Sequence, residues 1–281
     1  MRPGEKAGIV CCSNALNRKC RNDVEKLVQI LTEIGITAVI SDHIYTKSAV
    51  FSGTGIERAK ALMRFYADDD IKVIFDISGG DIANEILPYL DFDVIRDHPK
   101  QFWGYSDLTT ILNAVYTKTG NTGVLYQVLN LVRDESGVQR KNFADTILGG
   151  EDSLFSFPFQ FVQGDHMEGI LAGGNIRCLL KLAGTDFFPD MRDKLLVLEA
   201  LGGSLPQFVT YLSQLKCMGV FTQIKGIVLG TFTQMEAENI RPDITTLVQE
   251  YAGNLPIVKT SRLGHGADSC GVVIGAHRVF G

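Results

Sequence analysis

The chain has 281 residues, 45% of them apolar, enough for one large or two ordinary domains around a substantial core. Charged residues make up 21% and the formal net charge is -5, with neither sign gathered into a block, which disfavours a nucleic-acid partner bound through a basic surface. The apolar stretch Ala7 to Cys12 is too short for a secretory signal, and no run nears the roughly 18 apolar residues of a membrane helix, so the reading is a cytoplasmic protein with no membrane partner.

In chain order, Gly8 to Cys12 predicts a strand, followed by a polar turn at Ser13-Asn14. Asp23 to Glu33 places Val24, Leu27, Val28, Ile30 and Leu31 at helical spacing and stops at Gly35. Ile36 to Ile40 is the next strand, and Gly55 to Tyr66 the next helix, with a polar exit at Asp68-Asp69-Asp70. Lys72 to Ile77 reads as a buried strand ending in the turn Ser78-Gly79-Gly80-Asp81, after which Ala83 to Leu87 opens a helix before Pro88. Phe102-Trp103-Gly104 is a short strand, and Leu108 to Thr119 is helical up to Gly120.

The pattern weakens between Asn121 and Gln160, which marks the expected domain junction: an N-terminal domain over 1–150 and a C-terminal one over 151–281. Beyond it lie a glycine-rich stretch from Gly164 to Gly174, strands at Leu195 to Leu198 and Gly226 to Leu229, and a helix at Leu205 to Met218. Strands alternating with helices predict an α/β chain, with a doubly wound, Rossmann-like first domain and an α+β second. The six cysteines show no paired CxxC spacing, so buried thiols are expected rather than a metal site or disulfides; Cys11 and Cys12 should face opposite sides of their strand.

A strand that enters a sharp turn at Gly104-Tyr105-Ser106-Asp107 and leaves as a helix exposes the Ser106 hydroxyl at the sheet rim. It also leaves the Asp107 N–H unpaired in the first helical turn, where it can stabilise an oxyanion. Thr109 stands where a G-x-S-x-G motif has its second glycine, so by itself the tetrapeptide favours a helix cap over a nucleophile, and it is the neighbouring residues that point the other way. Gly79-Gly80 ends a neighbouring strand and can offer a second N–H from Gly80 at the same sheet edge, where open α/β folds build their sites. Neither GxGxxG nor GxxxxGK[ST] occurs, which weakens a phosphate cradle and with it a nucleotide-dependent transferase. A nucleophilic serine needs a base and an orienting acid. His265, between Gly264 and Gly266, and Glu199, closing the run Leu195 to Leu198, are the candidates; a loop histidine and a solvated strand end are their plainer readings.

These residues resemble the serine peptidase family that contains LD-carboxypeptidases and microcin-immunity hydrolases. The similarity covers most of the chain and is strongest from Gly79-Gly80-Asp81 through Asn84 to Asp91 and Pro99-Lys100 into Gly104-Tyr105-Ser106-Asp107-Leu108-Thr109. Further matches are Gly173-Gly174-Asn175, Gly184-Thr185, Leu196-Val197-Leu198-Glu199 and Gly264-His265-Gly266. The resemblance implies a Ser106, Glu199 and His265 triad, oxyanion donors at Gly80 and Asp107, two domains, a homodimer, and amide hydrolysis without metal or cofactor. It also implies the substrate class: a small peptide, a muropeptide losing its terminal D-alanine, or a peptidyl- or aminoacyl-nucleotide conjugate. The stretch from Asn84 to Asp91 is more similar to the immunity type.

Carboxypeptidase action requires a partner for the substrate carboxylate, and Arg177 is a candidate. The family usually continues after Gly120 to a Gly-Pro pair, whereas this chain has Gly123-Val124-Leu125-Tyr126-Gln127. The single tryptophan, Trp103, lies beside the nucleophile turn, so a nucleobase platform would fall to a phenylalanine in Phe155 to Phe161. The non-catalytic alternative is a two-domain protein that binds or senses a small ligand, with Ser106 only capping a helix.

Overall fold

The computed structural model describes residues 1–281, arranged as two six-stranded sheets flanked by helices. The first half supplies β1 (Lys6–Val10), α1 (Arg21–Ile34), β2 (Thr37–Ile40), α2 (Gly55–Ala67), β3 (Ile71–Asp76), α3 (Phe92–Asp97), β4 (Gln101–Gly104), α4 (Thr109–Thr119), β5 (Gly123–Leu125), α5 (Asn130–Arg133) and α6 (Val138–Ile147). The second half supplies β6 (Gln160–Gln163), β7 (Met167–Asn175), α7 (Ile176–Leu180), β8 (Lys194–Ala200), α8 (Leu205–Cys217), β9 (Gly226–Phe232), α9 (Thr233–Ala237), α10 (Ile244–Ala252), β10 (Ile257–Lys259), β11 (Val272–Ile274) and β12 (His277–Phe280).

The first sheet runs β11-β5-β4-β3-β1-β2 and is parallel except for β11, which returns from the C-terminal half to pair antiparallel with β5. The second runs β12-β7-β8-β9-β10-β6, with a parallel centre and antiparallel edges at β12 and β6. This mixed α/β architecture in two domains is the fold class the alternating pattern predicts. Where the apolar period was strong the elements match: α1 buries Val24, Leu27, Ile30 and Leu31, and α2 starts at a capping box between Thr54 and Glu57.

Weaker patterns hid several elements. α6 buries only Gln139, Phe143 and Ile147, so its sequence carries almost no amphipathic signal. β7 occupies part of the glycine-rich stretch, because its glycines are covered on both sides by neighbouring structure. The helix expected from Ala83 is a 3-10 segment, Ala83–Tyr89, consistent with Pro88 removing a helical donor. Cys11 and Cys12 do face opposite layers, Cys11 with Val24 and Leu27, Cys12 with Leu62 and Ile86.

The two halves share core. Leu112 and Val115 of α4 belong to the same apolar cluster as Leu171 of β7 and Leu195 and Val197 of β8. The polar face of α4 locks this packing: the Asn113 side chain donates to Gly173 O and accepts from Gly173 N, both at 2.9 Å, and Asn175 N donates to Thr109 Oγ1 at 3.0 Å. Asn113 and Thr109 are fully buried, so these bonds face no competition from water. The helix that begins just after Ser106 is thereby fixed against the strand beside the one that carries Glu199.

Candidate active site

β4 ends at Gly104, and the chain turns through Tyr105 into a 3-10 turn, Ser106–Leu108, that leads into α4. Ser106 has φ +56°, a left-handed conformation that costs a non-glycine residue about 1–3 kcal/mol and recurs at functional turns. It does not cap a helix: Tyr105 and Leu108 hold the capping positions of the 3-10 turn and of α4, and neither makes a side-chain capping bond. The strained serine therefore presents its hydroxyl to a cleft of about 290 Å³, also lined by Gly79, Gly80, Tyr105, Gly264 and His265.

Gly80 lies on the turn that follows β3, with φ +118°, and a Cβ there would stand 2.3 Å from Asn14 Cγ. Only glycine fits both the angle and the contact. Asn14 N donates to Gly79 O at 3.1 Å and Asn14 Oδ1 accepts from Asp81 N at 3.0 Å, so the turn is braced from the loop after β1. Beneath it, buried Asp76 accepts from Ser78 N and Cys12 N, both at 2.8 Å. Burial, partly offset by the bonds from Ser78 and Cys12, raises its carboxyl to about 6.

Glu199 sits near the end of β8 and is wholly buried. Its Oε1 accepts from Asn175 Nδ2 at 3.0 Å, while Oε2 lies 2.9 Å from His265 Nδ1, an ion-pair distance that is off the line of a hydrogen bond. His265 belongs to the loop after β10, and Thr231 N donates to Leu263 O at 2.7 Å to hold that loop on β9. Gly264 permits the approach, since a Cβ there would stand 1.8 Å from Thr231 Oγ1. His265 Nε2 is shielded from solvent without a hydrogen-bond partner, so the ring keeps a lone nitrogen for the cleft. Tyr105 packs its ring edge-on against the imidazole, centroids 5.0 Å apart. Burial, then the adjacent Glu199 charge, pushes the Tyr105 hydroxyl well above the usual phenol range and keeps it neutral.

Ser106, Gly80 and His265 thus meet in one cleft, with Glu199 behind His265. Asp107 has its side chain turned inward, where Oδ2 accepts from Ser13 Oγ at 2.6 Å and from Ala83 N at 2.8 Å. Arg177 is placed elsewhere: its guanidinium donates to Gly80 O at 3.0 Å and pairs with Asp81 Oδ1 at 2.7 Å, and it does not line the cleft. The cation at the cleft wall is Arg133, an exposed residue at the end of α5. The sequence gives no sign of it, nor of Asn175 and Tyr105 as neighbours of Glu199 and His265; these placements depend on contacts between distant segments, and no local pattern carries them.

Trp103 is core, packed against Phe75, Phe143 and Tyr126. Of the phenylalanines from Phe155 to Phe161, Phe155 lies on Trp103, Phe157 is buried, and Phe159, packed on Phe161 and Phe280, stays partly open to solvent; none of them lines the cleft. No group of three or more His, Cys, Asp or Glu side chains is arranged to hold a metal ion, and no helix is long and apolar enough to cross a membrane.

Residues 7–127 match the model of the LD-carboxypeptidase N-terminal domain, and residues 168–279 that of the LD-carboxypeptidase C-terminal domain. Among curated relatives, the chain is 26% identical to a probable murein peptide carboxypeptidase of Bacillus subtilis, over 98% of this chain and 88% of that protein. It is also 26% identical to the microcin C7 self-immunity protein MccF of Escherichia coli, over 81% and 75% respectively. Among solved structures, an MccF-like protein from Bacillus anthracis superposes with a TM-score of 0.87 at 24% identity, covering 99% of this chain and 94% of that one.

Proposed function

The chain belongs to the LD-carboxypeptidase family of serine peptidases, and from that premise we propose that Ser106, Glu199 and His265 are its catalytic triad, cleaving an amide bond in a small peptide. The observation that carries this reading is the convergence of a strained serine and a carboxylate-backed histidine on one cleft, from segments far apart in the chain. We place the nucleophile in a domain over 1–150 and its acid and base in one over 151–281.

In this mechanism His265 Nε2 takes the proton of Ser106 Oγ as the oxygen attacks the scissile carbonyl. The N–H groups of Gly80 and Asp107 bind the oxyanion, and His265 returns the proton to the departing amine. Water then attacks the acyl carbon as His265 takes its proton, and His265 passes that proton to Ser106 Oγ as the bond to the acyl group breaks, which frees the acid and restores the resting serine. Glu199 supports the imidazolium at both stages, and Asn175 holds the Glu199 carboxylate in place.

The substrate favoured is a murein tetrapeptide that loses its C-terminal residue. The murein peptide carboxypeptidase relative is matched over nearly the whole chain, and the free carboxylate of such a peptide suits Arg133 at the cleft wall. None of the aromatic residues from Phe155 to Phe161 lines the cleft that holds Ser106 and His265, which disfavours a nucleotide conjugate. Incubation with a murein tetrapeptide and, separately, an aminoacyl sulfamoyl adenosine, followed by mass spectrometry, tests both. The tetrapeptide should be shortened by one residue by the wild type and left intact by Ser106→Ala. Turnover by the Ser106→Ala protein would overturn the triad, and cleavage of the nucleoside conjugate alone would overturn the substrate.

A further inference from the structure

The two turns proposed to bind the oxyanion are gripped from the second domain by a pair of cations one helical turn apart. Arg177 of α7 donates from Nη2 to Gly80 O at 3.0 Å and pairs through Nη1 with Asp81 Oδ1 at 2.7 Å. Lys181, directly after α7, donates from Nζ to Asp81 O at 2.7 Å and makes a short ion pair with Asp107 Oδ1. The Asp107 side chain is wholly buried and that of Lys181 is 16% exposed, so salt and water screen this pair far less than a surface one.

These contacts fall on the peptide groups that aim the donors. Gly79 O and Gly80 N share one peptide plane, held by Asn14 N on Gly79 O. Gly80 O lies in the next plane, held by Arg177. A glycine at φ +118° has wide conformational freedom of its own, so both planes flanking it need outside partners to keep one direction. On the other turn, the Asp107 carboxylate collects Ser13 Oγ, Ala83 N and Lys181 Nζ from three different segments, which fixes the residue whose N–H is the second donor. Oxyanion donors lower a barrier only when their direction is set before the charge develops.

We propose that Arg177 and Lys181 are positioning residues: a clasp from the second domain that sets the Gly80 and Asp107 donors relative to each other and to Ser106. The clasp touches no substrate and acts through the two turns. Hydrolysis then depends on the docking of the two domains in a second way, besides the delivery of His265 and Glu199. This inference rests on the triad reading for its catalytic consequence, although the clasp itself is a matter of backbone order.

The test compares full-length wild type, Lys181→Met, Arg177→Met, Lys181→Arg and Ser106→Ala on a murein tetrapeptide. Hydrogen exchange is followed in parallel over residues 77–84 and 104–109. Lys181→Met should lower kcat by about tenfold or more with KM within about twofold, and Lys181→Arg should recover most of the loss. Both turns should exchange faster in the Met variants, with β8 and β9 unchanged. Wild-type kcat in both Met variants, or a loss confined to KM, would overturn the clasp. Should Lys181→Met fail to fold, the half-exposed Arg177→Met carries the same comparison. If hydrolysis survives in Ser106→Ala, the triad reading falls and exchange alone decides: faster exchange at both turns upholds the clasp, unchanged exchange overturns it.

Discussion

His265 Nδ1 lies 2.9 Å from Glu199 Oε2, although one residue belongs to the loop after β10 and the other to strand β8, where Glu199 is wholly closed off from water. A buried carboxylate whose other oxygen is already held by Asn175 has one direction left in which to act, toward the imidazole. Glu199→Gln keeps the shape and removes the charge that favours the imidazolium. It should lower kcat by about a thousandfold while the circular dichroism spectrum and KM stay close to wild type. Steady-state kinetics on the tetrapeptide check this, and a loss below fivefold would remove Glu199 from the proposed triad.

Gly80→Ala should be far more damaging than Gly79→Ala. Alanine at position 80 meets Asn14 at 2.3 Å and must adopt φ +118°, whereas a Cβ at position 79 meets nothing within 4 Å. The expected result for Gly80→Ala is a fall in kcat of about a hundredfold, the size of one lost oxyanion donor. Equal kinetics for the two variants would count against Gly80 as that donor.

Asp76 gives the protein a pH dependence of definite sign. Its folded value of about 6 stands above the roughly 3.9 of an unfolded aspartate, so between those values the native state holds a proton that the unfolded chain releases. Stability from this group is therefore lost as pH rises from about 4 through 6, by up to about 3 kcal/mol at neutral pH. Urea denaturation of wild type and Asp76→Asn at pH 4.5, 5.5 and 7 should show the difference between them moving against the wild type as pH rises. A constant difference would refute the assignment.

Asn113→Ala should weaken the joint between the domains. It strips partners from both the N–H and the C=O of Gly173 in a fully buried setting, at a cost of about 3 kcal/mol. Chemical denaturation should show a lower midpoint, or a first transition that separates the two halves. A midpoint within error of wild type would mean that the apolar contacts of α4 suffice.

Arg133→Gln should raise KM for the tetrapeptide about tenfold and leave kcat near wild type, since a contact to the substrate carboxylate is made equally in ground and transition states. A C-terminally amidated peptide should be insensitive to the substitution. Equal sensitivity for both peptides would exclude Arg133 as the carboxylate partner.

How much of this was legible in the sequence follows from what kind of force fixes each feature. The strands and helices with strong apolar period, such as α1, α2 and β3, were readable because burial of one face writes itself into local spacing. So were the turns at Gly79-Gly80 and at Tyr105-Ser106, because a sharp turn after a strand demands particular residue types at consecutive positions. Glu199 and His265 could be named from their flanking residues and the family resemblance, but that they meet was decided only in three dimensions, by the pairing of β8 with β9 and the seating of the His265 loop on β9. The inward turn of the Asp107 side chain, the engagement of Arg177 on Gly80 rather than in the cleft, and the Lys181 ion pair left no local trace. Each depends on a partner far away in the chain, and a long-range contact is set by the packing of whole elements rather than by the residues beside it.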